Sequence, residues 1–266
     1  MPTRFRAWTA RRRLRGPAKA AAAAAILGVA VVMATAVGAP AAGSTPASPQ
    51  SCQALAVSRL RCPDLVILRP YDVYLEHAAG RTLLHTASAI VNFGSGPAEL
   101  DGRRDGGSTM SARQRIYRAG GGSILLAPRA RLRFKHLPGY GDFWKLKHAA
   151  RFELWSVDRR GRPSQRLRVG SKIFYCLRDL TYRGGVPNAP GHRIYPACSQ
   201  DHGRRSVVLG TSPGWSDDYP TDYDAQFVNV TGLHGRFLLV LIADPDNVIL
   251  ESRENNNQAS RAVRIP

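Results

Sequence analysis

The sequence predicts an all-β protein, a sandwich of short antiparallel strands joined by long irregular loops. Three observations carry this. Apolar and β-branched residues come in short runs, as in "DLVILRP" and "LLHTASAIVNFGSG". Turn signals rich in Gly, Pro, Asn and Asp punctuate them roughly every ten residues. Outside one N-terminal stretch, no segment sustains the 3.6-residue apolar repeat of a long helix.

The N-terminal stretch comes first. Residues 1–42 carry Arg4, Arg6, Arg11, Arg12, Arg13, Arg15 and Lys19 and no acid. The apolar run Ala20–Ala39 follows, with the small-residue sites "ATA" at Ala34–Ala36 and "APA" at Ala39–Ala41. A basic head, an apolar middle and an A-x-A end read as a secretory signal peptide or a signal anchor, a segment that meets the membrane. Alanine dominates the run, which suits a cleaved signal better than a permanent span. The expected location is therefore secreted or extracytoplasmic, with a membrane anchor as the alternative.

Residues 43–63 read as a small, polar, proline-bearing linker followed by an N-terminal disulfide loop. Residues 64–266 form the predicted domain. "DLVILRP" opens it, and "ELDGRRDGG" reads as a polar loop. "SARQRIYRAGGGSILLAPRARLRFKHL" alternates around Ile116, Tyr117, Leu125, Leu126, Leu132 and Phe134. "WKLKHAAR" is expected as a short helix. "RFELWSVDRRGRP" and "SKIFYCLRDL" read as strands. The stretch from Tyr182 to Pro220 reads as a long irregular excursion, a kind of loop that is usually functional or cross-linked. "AQFVNVTGLHGRFLLVLIAD" reads as two strands across a glycine turn, and the chain closes on a further strand.

The formal net charge is +19, and residues 1–42 carry seven of those charges, leaving +12. The basic groups are scattered, as at Arg103–Arg104, Arg159–Arg160 and Arg204–Arg205, with no lysine block and no aromatic nucleic-acid box. This argues against a nucleic-acid partner. It permits attraction to a cell-wall or other anionic surface polymer. The cysteines are Cys52, Cys62, Cys176 and Cys198, an even number in an exported chain, which points to two disulfides. Three pairings are open, and no C-x-x-C spacing suggests zinc.

Three separated blocks resemble the lysyl oxidase catalytic domain. "RVGSKIFYCLRD" (Arg168–Asp179) is similar to the family block holding its cofactor lysine. "YPACSQ" and "LGTSPGWSDDYPTDYDAQFVNVTGL", within Tyr195–Leu233, are similar to the block holding its cofactor tyrosine. "VILESRENNN" (Val248–Asn257) resembles the closing signature. The resemblance is to a bacterial-type secreted member. It implies a copper amine oxidase with a lysine tyrosylquinone, in which Lys172 and Tyr219 supply the cofactor and Asp217 is the candidate base. It also implies the pairing Cys176–Cys198 around the cofactor region, and with it Cys52–Cys62.

The family binds copper through H-x-H-x-H, in which histidines two apart on an extended segment share one face. Aligned on the flank "LKHAARFELW", those positions fall on Gly141, Phe143 and Lys145. None is histidine. Glycine offers no donor, phenylalanine cannot ligate, and a lysine cation repels a dication. His136 and His148 flank the segment, and the other histidines are dispersed. The expectation is an exported lysyl-oxidase-like sandwich that has lost catalysis, needs no cofactor, and acts as a surface or extracellular binding domain. An active protein-lysine 6-oxidase, with copper, the quinone and an amine-bearing protein as substrate, is the alternative. A structural β-domain without ligand is the second.

Overall fold

A computed structural model describes residues 51–55, 57, 59–170 and 174–266. The signal-type segment, most of the linker and Lys172 lie outside the described residues. After a 3₁₀ turn at Cys52–Ala54, the strands in chain order are β1 (Leu60–Arg61), β2 (Leu65–Ile67), β3 (Tyr71–Ala78), β4 (Arg81–Asn92), β5 (Ala98–Arg104) and β6 (Thr109–Arg118). Next come β7 (Ser123–Leu125), β8 (Ala130–Leu137), β9 (Gly141–Lys147), β10 (Ala150–Val157), β11 (Pro163–Val169) and β12 (Phe174–Tyr175). The last are β13 (Thr181–Tyr182), β14 (Ser206–Thr211), β15 (Trp215–Tyr219), β16 (Phe227–Asn229), β17 (Gly235–Ala243) and β18 (Gln258–Ile265). Among the described residues there is no α-helix, and the predicted all-β class is what the chain adopts.

The strands form three antiparallel sheets. One runs β12-β9-β8-β6-β5-β14, with β1 and β7 also on β6. A second runs β11-β10-β17-β18. The third runs β13-β15-β4-β16, with β2 and β3 on β4. Strand β6 shows how sequence writes position. Met110, Ala112, Gln114 and Ile116 point inward, and the residues between them are half-buried, as the two-residue repeat of a strand demands. Strand β4 is instead buried continuously from Leu83 to Asn92, because β2, β3, β15 and β16 all pair with it. Leu84, Ile90, Leu100, Met110, Trp144, Phe152, Leu154, Leu239 and Leu241, drawn from all three sheets, meet in one apolar core.

Three local expectations change. "WKLKHAAR" is no helix: it ends β9, turns at His148 with φ 59°, and begins β10. Its apolar side chains alternate, so strand pairing with β8 wins. "ELDGRRDGG" is mostly strand β5, paired on both sides by β6 and β14. Its Asp, Gly and Arg content concealed this, since Asp101 and Glu99 share an ion pair with one cross-sheet guanidinium, Arg115. The Tyr182–Pro220 stretch contains two strands, β14 and β15. Buried Asp179 organises its irregular part by accepting hydrogen bonds from the backbone N–H of Ile194, Tyr195 and Ser212 and from the Ser212 hydroxyl. The disulfides are Cys52–Cys62 and Cys176–Cys198.

Candidate functional site: a tyrosine, aspartate and lysine cluster

Strand β15 carries "WSDDY" through the interior beside β4, with Asp217 opposite Ile90 and Tyr219 opposite Ser88. Residues two apart on a strand share a face, so Asp217 and Tyr219 meet. The Tyr219 hydroxyl donates to Asp217 Oδ2 at 3.0 Å and accepts the Cys176 backbone N–H at 2.8 Å. The Leu177 N–H donates to the same carboxylate oxygen at 3.0 Å, and Arg178 Nε stands 3.6 Å from Oδ1. Both Asp217 and Tyr219 are buried. Burial pushes the Asp217 carboxyl up to about 6, against the opposing pull of Arg178 and Lys145. Burial, and next the Asp217 charge, push the Tyr219 phenol well above its usual range.

The neighbouring acid behaves differently. Asp218 points away, to the Arg183 guanidinium and the Ser216 hydroxyl. Adjacent carboxylates on a strand thus divide the work, one inside and one at an ion pair near the surface.

Strand β9 meets this cluster with Lys145. Its side chain is wholly buried. The ammonium donates to the Tyr223 hydroxyl at 3.2 Å and lies 5.1 Å from the Tyr219 ring centroid and 4.9 Å from that of Tyr223. A cation over a ring face is attracted by the ring quadrupole, by about 2 kcal/mol where water is excluded. Burial lowers the Lys145 pKa to about 8, and the Asp217 charge opposes that fall. The rings continue in both directions. Tyr175 packs edge-on to Tyr219 at 4.4 Å, and its hydroxyl lies 2.6 Å from Ser88 Oγ. Tyr223 lies 4.9 Å from Tyr219 and 4.4 Å from exposed Tyr140. A tyrosine row therefore runs from the core to the surface.

Tyr175, Arg178 and Tyr223 lie inside the family-like blocks yet were not singled out from sequence. The available signal was that "FYCLRD" and "DYPTDYD" place an aromatic and a charge beside each cofactor-type position. Lys172 lies outside the described residues, so its place relative to Tyr219 is not part of this geometry.

The copper positions can be tested on their chemistry. Phe143 and Lys145 project from one face of β9 as expected of an extended segment, and Phe143 packs against the core. Gly141 breaks the pattern. Its φ is +103°, a backbone that side chains rarely adopt, and a Cβ there would lie 3.0 Å from Gln200 Nε2. A glycine, a phenyl ring and an ammonium do not fit a copper ion, and a single amine is no substitute for three imidazoles. The flanking histidines are engaged locally: His136 with Asp142 and His148 with Asp246. Among the described residues no three His, Cys, Asp or Glu side chains come together as a metal site.

No family model matches the chain. Over 101 residues, 38% of this chain, it is 29% identical to the protein-lysine 6-oxidases of Rattus norvegicus and Sus scrofa. That stretch spans 22% and 36% of those relatives' own lengths. The likeness is distant and covers a minor part of each relative, and on it the chain is lysyl-oxidase-like.

Proposed function

We propose that this chain is an exported lysyl-oxidase-like domain that has given up copper-dependent amine oxidation and serves as a surface or extracellular binding protein. One observation carries the reading. Lys145, at a position where the family resemblance implies an imidazole, buries its ammonium against Tyr219 and Tyr223 within the field of Asp217. The cluster thereby contains its own cation. A dication brought to the same place would meet that charge at short range in a dry interior, where repulsion is poorly screened. The carboxylate and the phenol that resemble a base and a cofactor precursor are engaged in holding the interior together. No cofactor is needed for that role. Two disulfides suit an oxidising compartment. Among the described residues no helix is long and apolar enough to cross a membrane.

The test is purified full-length protein incubated with Cu(II) in air. The expected result is no stoichiometric copper after dialysis, no visible quinone absorption, and no peroxide on adding benzylamine. Stoichiometric copper together with a quinone band and peroxide would install the active protein-lysine 6-oxidase instead.

A further inference from the structure

A second feature lies away from the tyrosine cluster, where the β6–β7 hairpin faces the stretch between β13 and β14. A cavity of about 440 Å³ opens there, lined by Tyr117, Tyr195, Arg61, Arg118, Asn188 and Ser95 among others. That volume lies within the range of small-ligand pockets. We infer that this cavity binds a carboxylate-bearing saccharide, an inference that rests on the binding role proposed above and names its site and ligand class.

The two aromatic walls are fixed in advance. Tyr117 and Tyr195 both donate their hydroxyls to Glu99 Oε2, at 2.8 and 2.5 Å, while Arg115 Nε holds Glu99 Oε1 at 3.0 Å. Glu99 is buried, and its carboxylate is held by an ion pair with Arg115, shared with Asp101, and by hydrogen bonds from the two phenols. Strand β5, strand β6 and the excursion are thereby tied at one carboxylate. Two rings with no freedom to lose can cover the apolar face of a pyranose at low entropic cost. Burial, and next the hydrogen bond to Glu99, push the Tyr117 phenol up to about 12. Burial, and next its own hydrogen bond to Glu99, raise the Tyr195 phenol as well, so both rings stay neutral across the physiological range.

The rim is cationic. Among the described residues neither Arg61 nor Arg118 has an ion-pair partner, and Arg118 is exposed. With both Glu99 oxygens engaged by Arg115 and the phenols, the mouth presents two arginines to a ligand carboxylate, a pairing whose planar geometry guanidinium favours. Asn188 and Ser95 are exposed at the same rim and supply an amide and a hydroxyl for sugar hydroxyls. Rings, cations and small polar groups together match an acidic sugar better than a bare anion or a neutral glycan.

The experiment is calorimetric titration of the full chain with a hexagalacturonate, a neutral maltohexaose and inorganic polyphosphate of matched charge, at physiological salt. Saturable binding is expected for the uronate alone. Arg61→Gln with Arg118→Gln should weaken it by about tenfold or more, the loss of a charge-assisted pair. Arg159→Gln with Arg160→Gln removes the same charge at the exposed turn between β10 and β11 and should leave it unchanged. Arg118→Gln alone, at an exposed site, serves if the first pair folds poorly. Equal weakening by both pairs, equal binding of polyphosphate or maltohexaose, or no saturable binding would overturn the site. A protein that forms the quinone yet binds the uronate here would overturn the loss of catalysis and keep the site. A protein that does neither would lose the site alone.

Discussion

Strands β9 and β15 bring opposite halves of one cluster into the same interior, and they have fared differently. On β15 the two chemically suggestive residues, Asp217 and Tyr219, are present: Asp217 Oδ2 accepts from Leu177 and Tyr219, Oδ1 faces the Arg178 guanidinium at 3.6 Å, and the Tyr219 hydroxyl accepts from Cys176. On β9 the three positions where the resemblance implies metal ligands hold a glycine whose positive φ disfavours any side chain, a half-buried phenylalanine packed against the core, and a buried lysine. The difference teaches that a buried carboxylate and phenol can be held as packing and charge balance with a protein cation, Lys145, standing opposite them. What they require is a cation nearby, and Lys145 is that cation.

The largest expected effect separates structural from chemical duty on β15. Asp217→Ala should destabilise the fold by about 3–5 kcal/mol, because it strands the Leu177 N–H, the Tyr219 hydroxyl and the Lys145 charge in a dry interior. Urea denaturation measures this. A loss below about 1 kcal/mol would mean that the cluster is not a supporting network.

Tyr219→Phe keeps the ring over Lys145 and removes only the hydroxyl. It should cost about 1–3 kcal/mol, since the Cys176 N–H and Asp217 each lose a buried partner. Calorimetric melting would show the shift. A neutral result would argue that water replaces the hydroxyl.

The charges on the two strands predict a pH profile. The Asp217 carboxyl is raised from 3.8 to about 6, so between these values the folded state holds a proton that the unfolded chain has released. Stability from this group therefore falls as pH rises through that window. The Lys145 ammonium is lowered from 10.5 to about 8, so between these values the unfolded chain holds the extra proton. Stability from this group rises with pH there. Each slope is at most about 1.4 kcal/mol per pH unit for one proton. Asp244, pushed up to about 7 by burial, adds to the acid-side fall, so the informative quantity is a difference between proteins. Lys145→Met should abolish the alkaline rise. It should also carry the acid-side fall to higher pH, because Asp217 loses a charge that favours its ionised form. Denaturant midpoints measured from pH 4 to 10 check both. An unchanged alkaline arm would place the lowered amine elsewhere.

The smallest effect is the control. Asp218→Ala, one residue from Asp217, removes a half-exposed pair with Arg183 and should cost about 1 kcal/mol or less. A loss as large as that for Asp217→Ala would erase the distinction between inward and outward acids on β15.

The sequence carried the fold class in its two-residue alternation, best seen in β6, where every second side chain is buried. It also carried the blocks around Asp217 and Tyr219 and the absence of histidine at Gly141, Phe143 and Lys145. It could not say which of two adjacent acids turns inward, because Asp217 and Asp218 are the same residue type and only pairing with β4 orients the strand. It could not show that "ELDGRR" is an inner strand, because Arg115 and the Tyr117 and Tyr195 hydroxyls that hold its acids come from other elements. Among three possible cysteine pairings, composition had no means of choosing. The fate of Lys145 was decided by tertiary structure alone. A lysine on a strand is ordinarily a solvated charge. Here Asp217, Tyr219 and Tyr223, more than seventy positions away in the chain, close over it and make burial of its ammonium tolerable.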